Sequence, residues 1–287
     1  MEFRPSRFEV LPYVVKNLLI INVLVFLASI VFGRNGIDLY EWFALYHWSS
    51  EKFRVWQLVT HMFMHGNVAG PFPDYEGGVM HLFSNMFALW MFGSLLENLF
   101  GAKRFLSFYL MCGIGAALMH LGVYTYELGV IRDAVAQFQL NPTFPEFSAF
   151  LSQNHVNINS ELGHELYALK AAWRESPMDD SFSRGAQILT GRYRELYVDQ
   201  ATVGASGAVF GVLFAFGYLF PNTVIYLYFF LPLKAKYFIA LYALFELYAG
   251  VRNVAGDNVA HFAHLGGMLI AFVILKVWNR TQRKNFY

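Results

Sequence analysis

Gly204-Ala205-Ser206-Gly207-Ala208-Val209-Phe210-Gly211 opens a run that stays apolar to Phe220. Read as a helix, it sets Gly207 and Gly211 four residues apart on one face, where the lack of side chains lets a second helix approach closely. Gly204 and Ala205 add no bulk on the way in, so the Ser206 hydroxyl stands alone among small residues. A matching face lies toward the C-terminus, where Ala263-His264-Leu265 runs into Gly266-Gly267, with Ala271 four residues beyond Gly267. If the two faces pack together, Ser206 and His264 meet at one level, and an alcohol beside an imidazole is a nucleophile beside a general base.

Outward from this pair, six stretches read as spanning helices: about 14–33, 79–100, 104–126, 201–220, 237–251 and 258–278, the fifth being short for a full crossing. Composition agrees, since 56% of the 287 residues are hydrophobic and only 14% charged, against roughly a quarter charged in a soluble domain. Lipid is therefore the expected solvent for much of the chain, which excludes a disordered chain and disfavours a purely soluble enzyme. The net charge of +1 offers no basic excess for neutralising phosphates, so nucleic acid is not an expected partner. Cys112 is the single cysteine, which removes intrachain disulfides and CxxC metal or redox sites. The fold class expected is an all-α membrane protein, a bundle of six transmembrane helices built from 1–126 and 201–287. A partly helical extracytoplasmic insertion, 127–200, separates helices 3 and 4.

Orientation follows the lysines and arginines. With both termini inside, Arg4, Arg7, Lys16, Lys103, Arg104, Lys234, Lys236, Lys276, Arg280, Arg283 and Lys284 are cytoplasmic, while the short outer loops hold only Arg34, Lys52, Arg54 and Arg252. The first run resembles a signal peptide but lacks a small-residue cleavage site, so it reads as an uncleaved anchor. Residues 34–78 carry Trp42, Trp48 and Trp56, amphipathic rings suited to the headgroup layer of the outer leaflet. Phe229 to Lys234, interrupted by Pro232, reads as an interfacial loop. The insertion holds 6 basic and 10 acidic residues, and Leu162, Leu166, Leu169 and Trp173 recur at helical spacing.

Strongly polar groups in spanning helices are costly and so are candidates for function. They are His81, Asn85, Glu97, His120, Ser206, Glu246, His261 and His264. Glu97 and Glu246, near helix ends or turns, read as capping backbone or meeting a neighbour, and His120, with no evident polar companion, reads as structural. Asn85, Ser206 and His264 fall about six residues inside their estimated helix starts, roughly 8–10 Å below the outer surface, with His81 about one turn shallower. A shared depth on one side points to a single site. His81 and Asn85, at i and i+4, can donate to a developing oxyanion, and the N-terminal end of the Ser206 helix favours negative charge. Small-residue motifs and a helical Asn also serve simple packing, so each signal gains weight only from the others.

Together these residues resemble the rhomboid family of intramembrane serine proteases. The resemblance rests on His81-Leu82-Phe83-Ser84-Asn85, on Gly204 to Gly211 and on Ala263-His264-Leu265-Gly266-Gly267. Trp56-Gln57-Leu58-Val59-Thr60 and Leu96-Glu97 to Lys103-Arg104-Phe105 add to it. It implies a serine–histidine dyad without an aspartate, with Ser206 as nucleophile, His264 as base, and His81, Asn85 and the Ser206 backbone N–H as oxyanion hole. Gly204, Gly207, Gly211, Gly267 and Ala271 carry the helix packing. It further implies cleavage of membrane-spanning protein substrates near the outer face and no metal or organic cofactor. Many members have Trp-Arg where this chain has Trp56-Gln57, which bears on how the first outer loop is anchored, and Ala271 stands for the last glycine of the sixth-helix motif. The insertion lies outside the common pattern.

His261, one turn from His264, is the rival base; the family pattern, with a glycine three residues after the base, favours His264 and leaves His261 to water or loop backbone. A metal site among His61, His65, His81, His261 and His264, as in a zinc protease or transporter, is the competing class; His61 and His65 stand at i, i+4, but no HExxH occurs and no acidic residue of the spans lies near them, which disfavours it. A rhomboid-like client-binding protein without catalysis is the alternative function. The compact core points to a bacterial inner membrane.

Overall fold

The computed structural model describes residues 8–66, 75–154, 156–227, 230–252 and 260–283. Arg4, Arg7 and Lys284 of the orientation argument, and Phe229 of the expected loop, lie outside them. The chain is mostly helical. Helix α1, Tyr13–Arg34, starts after Pro12, and its first turn is capped from afar: the two carboxylate oxygens of Glu97 accept from the N–H groups of Val14 and Val15, each at 2.8 Å. A carboxylate at a helix N-terminus satisfies orphan donors and complements the dipole, so the capping expected of Glu97 is what the structure contains.

Short helices α2, Leu39–Phe43, and α3, Gln57–Thr60, shape the first loop, on which Trp42, Trp48 and Trp56 are exposed. Helix α4, Tyr75–Ala88, passes through a π-helical turn at Leu89–Gly93 into α5, Ser94–Phe100. Gly101, at φ +79°, turns the chain into α6, Ala102–Leu140. The expected third span ended at 126, but α6 continues unbroken for 39 residues, about 58 Å against a hydrocarbon core of about 30 Å. Ile131, Val135 and Phe138 on this extension explain the continuation, because they join a separate apolar core. Helices α7, Phe144–Gln153, α8, Glu161–Glu175, and α9, Asp180–Val198, supply the rest of it through Phe147, through Leu166 and Trp173, and through Ala186.

Helix α10, Ser206–Leu219, lies between α6 and α12, His261–Arg283, and is buried on nearly every side. It begins at Ser206 rather than near 201, because Gly204 takes φ +124° and Thr202 pairs with Leu45 in a β-bridge. Within the expected loop, Leu231–Lys234 is instead a strand, β2, paired in a hairpin with β1, Val224–Leu227. Pro232 is tolerated there because a two-stranded sheet has only edges. Helix α11, Ala235–Arg252, completes the bundle. By length and composition, four helices among the described residues are apolar enough to cross a membrane: Tyr13–Arg34, Gly77–Phe100, Ala102–Leu140 and His261–Asn279. The other two expected spans fall on α10, apolar but 14 residues long, and on α11, which carries Lys236, Glu246 and Arg252.

Helices α10 and α12 touch through backbone. A Cβ on Gly267 would overlap the Gly207 carbonyl, and one on Gly211 would lie 2.7 Å from the Cys112 side chain and 3.1 Å from the Gly267 carbonyl. Ala271 is fully buried. The matched small-residue faces of the sequence therefore do meet. Gly267→Ala should lower the melting temperature in detergent by several degrees, since backbone must move. Gly122→Ala, in α6 with nothing within 4 Å of the new methyl, should leave it unchanged or raise it, alanine being better in a helix by up to about 1 kcal/mol. Circular dichroism melts of the two variants check the opposite signs.

Candidate active site

Three segments converge at the start of α10. The entering strand is fixed by the Gly204 N–H donating to the His61 carbonyl at 2.9 Å and by Thr202 Oγ1 lying 2.8 Å from His120 Nε2. His120 thus has a polar companion, contrary to expectation; Thr202, 82 residues away, is out of reach of any local pattern. Ser206 is the first residue of α10, and the leading N–H groups of that helix have no carbonyl one turn behind them. Its Oγ lies 2.9 Å from His264 Nε2. The His264 ring stacks on Phe210, with centroids 4.0 Å apart and planes within 4°.

On the far side of that contact, His264 Nδ1 lies 2.9 Å from Oε2 of Glu246, and His261 Nδ1 lies 2.7 Å from the same oxygen. All three residues are buried. Glu246 therefore meets neighbours, one of the two readings expected of it, His261 Nδ1 faces a carboxylate, and a glutamate stands behind the serine–histidine pair for which the resemblance implied no aspartate. Glu246 was conspicuous in the sequence as a charge in an apolar segment, but 18 residues separate it from His264, and only the packing of α11 on α12 brings them together.

The His81 ring lies over Gly204, where a Cβ would come 2.7 Å from the imidazole, so a glycine is needed there for space as well as for its backbone angle. Asn85 is buried one turn along and donates from Nδ2 to the His81 carbonyl at 2.8 Å. Ser206, His264, His81 and Asn85 all line one cavity of about 1440 Å³, whose wall also includes Arg192 and Tyr193 of the insertion. Its polar groups suit acyl-transfer chemistry: a hydroxyl on an imidazole, with N–H donors and a helix N-terminus close by.

Elsewhere the histidines are engaged one by one, His61 Nδ1 with the Gln57 carbonyl and His65 Nε2 with Asn22 Oδ1, both at 2.8 Å. Among the described residues, Glu246, His261 and His264 form the group whose donor atoms gather within 4.8 Å. A metal on His264 Nδ1 would leave the proton on Nε2 and remove that nitrogen as a base, so metal binding and a base at Ser206 exclude each other there. Gln57, the departure from Trp-Arg, is fully buried and occupied. Its Nε2 donates to the carbonyls of Lys52 and Trp42, at 3.0 and 3.4 Å, and its Oε1 accepts from the N–H groups of Arg54 and Tyr46, at 3.0 and 3.4 Å. A neutral amide anchors the loop that an arginine could hold.

These elements define an integral membrane protein, a helical bundle with a buried polar cluster where α10, α11 and α12 meet. The chain belongs to the rhomboid family: the sequence model described as Rhomboid domain matches residues 52–130 and 182–280, more than half of the chain. The unmatched stretch 131–181 takes in the end of α6 together with α7 and α8. No curated protein matches the chain.

Burial holds the His61 imidazole down at about 4 and that of His65 at about 3, where His81 adds to the effect, against an ordinary value of 6.5. Below pH 6.5 the unfolded chain therefore binds more protons at these positions than the folded one, so stability rises with pH through this range and is lost on acidification. The melting temperature in detergent should fall as the pH drops from about 6.5 toward 4, and His61→Gln should flatten that slope. Melts at half-unit intervals of pH check this.

Proposed function

We propose that the chain is an intramembrane serine endopeptidase that cleaves membrane-spanning protein substrates near the outer face, with Ser206 as nucleophile and His264 as general base. The observation that carries the reading is the 2.9 Å contact between Ser206 Oγ and His264 Nε2 inside the bundle. In this reading Oγ attacks the scissile carbonyl as its proton passes to Nε2. The imidazolium then protonates the leaving amine, giving an acyl-enzyme and a free amino terminus. Water deprotonated by His264 attacks the ester carbonyl, the acyl–Oγ bond breaks as the imidazolium returns the proton to Oγ, and the new carboxyl terminus leaves. Charge on the tetrahedral oxygen is met by the Ser206 N–H, by His81 and by the second Nδ2 hydrogen of Asn85. The cavity of about 1440 Å³ that Ser206 and His264 line has room for a peptide segment beside the hydroxyl. Charge bias in the sequence supports both termini being cytoplasmic, and the compact core supports a bacterial inner membrane.

Ser206→Ala should abolish cleavage and fluorophosphonate labelling with little change in melting temperature. His264→Ala should be as inactive, and the double variant no worse, because the two act as one unit. Wild-type protein that is neither labelled nor active on any membrane substrate would favour the client-binding reading. His81→Ala and Asn85→Ala should each lower kcat by roughly 10- to 1000-fold with little change in KM, the range for one oxyanion donor; loss through KM alone would reassign them to substrate docking.

The insertion modulates access rather than chemistry. Its apolar core is self-contained, and its ends are held together by Tyr124 Oη donating to the Tyr197 carbonyl. Replacing 130–196 with a short flexible linker should preserve probe labelling of Ser206 while changing the rate on a membrane-spanning substrate. A variant that melts cooperatively but is not labelled would make the insertion part of the site.

A further inference from the structure

We propose that Glu246 is the positioning residue of the site, fixing the tautomer of His264 and balancing the charge that imidazole acquires, so that the chain works with a serine, a histidine and a glutamate where the resemblance implied a pair. The inference rests on the reading of Ser206 and His264 as nucleophile and base. An ionised carboxylate can only accept hydrogen bonds. With Glu246 Oε2 at 2.9 Å from His264 Nδ1 and 2.7 Å from His261 Nδ1, both Nδ1 atoms are the protonated ones. A neutral His264 so held has its lone pair on Nε2, the nitrogen 2.9 Å from Ser206 Oγ, and is poised to take the hydroxyl proton. The opposite tautomer would place N–H against the hydroxyl and a lone pair against a carboxylate oxygen, an unfavourable contact on both sides.

Burial makes the effect large. The Glu246 side chain is 3% exposed and that of His264 9%, so attraction between the carboxylate and a transient imidazolium is weakly screened. His261 supplies the second N–H that an otherwise single-bonded buried oxygen would lack, and it aims the carboxylate. This gives His261 a role as a second support of Glu246, while His264 is the one whose Nε2 stands against the Ser206 hydroxyl. Phe210 under the His264 ring leaves rotation about the ring axis as the remaining freedom, and the bond to Glu246 fixes it.

Glu246→Gln keeps shape and polarity but removes the charge and can present an N–H to His264. Its kcat should fall by about 100-fold or more, with KM within about threefold and the melting temperature within a few degrees, as when the carboxylate behind a catalytic histidine becomes an amide. Wild-type protein labelled with 15N-histidine, its His264 signals assigned by their loss in His264→Ala, should show Nδ1 protonated and Nε2 bare at neutral pH, a readout that needs no folded Glu246 variant. An unchanged kcat in Glu246→Gln, or His264 protonated on Nε2, would overturn the role of Glu246 while leaving the Ser206–His264 reading intact. Retained cleavage in Ser206→Ala would instead remove the reading on which it stands.

Discussion

The contact between the Gly207 carbonyl and the Cα of Gly267 is the constraint on which the centre of the molecule depends. No side chain fits between them, so α10 and α12 lie backbone to backbone, and neither can rotate or slide without separating the pair. Ser206 is the residue before Gly207, and His264 lies three before Gly267. Both polar groups thus sit within one turn of the point at which the helices are pinned. In lipid, where burial of apolar surface does not drive helices together, such close packing is the main source of a fixed geometry. The hydrogen bond between Ser206 and His264 is a consequence of that packing, not its cause.

Three of the costly polar groups are satisfied by partners that also tie elements together. Glu97 spends both oxygens on the first turn of α1; Glu246 spends one oxygen on two histidines of α12; Gln57 satisfies four backbone groups of the first loop. An unpaired buried charge would cost several kcal/mol, so these residues are legible as structural ties before any chemistry is considered. Gln57 shows that an amide, with two donors and an acceptor, meets mixed N–H and C=O groups that a guanidinium, with donors alone, could not.

Hydropathy made the spanning stretches legible, and the glycine spacing at Gly207, Gly211 and Gly267 made the α10–α12 pairing legible, because both are one-dimensional patterns with a direct physical meaning. The start of α10 was misplaced by five residues because apolar Ala201 and Val203 look helical, while the positive φ at Gly204 and the bridge from Thr202 to Leu45 depend on a partner strand no pattern reveals. The hairpin was missed for the same reason: Leu231 to Lys234 pairs with Val224 to Leu227, and pairing is invisible in either segment alone. Glu246 reads from sequence as meeting a neighbour, but which neighbour is not legible. Its meaning lies in the angle between α11 and α12, which hydropathy does not encode.

The segment that delivers the chain to Ser206 shows how a large insertion coexists with a fixed site. Chain leaves the bundle along the overlong α6 and returns along α9, so a second apolar core stands between the third and fourth helices of the family pattern. On its return the chain is fastened repeatedly before α10 begins. Asp199 pairs with Lys52 at 3.3 Å and accepts from Ser50 Oγ at 2.7 Å; Thr202 bridges Leu45 and contacts His120; Gly204 donates to His61. All of these partners belong to the first loop or to α6. The exposed ion pair adds little by itself, but the β-bridge and the half-buried contact of Thr202 with His120 tie the strand to the first loop and to α6. The chain entering Ser206 is thus held by a run of anchors a few residues long, and none of their partners lies on α7 or α8.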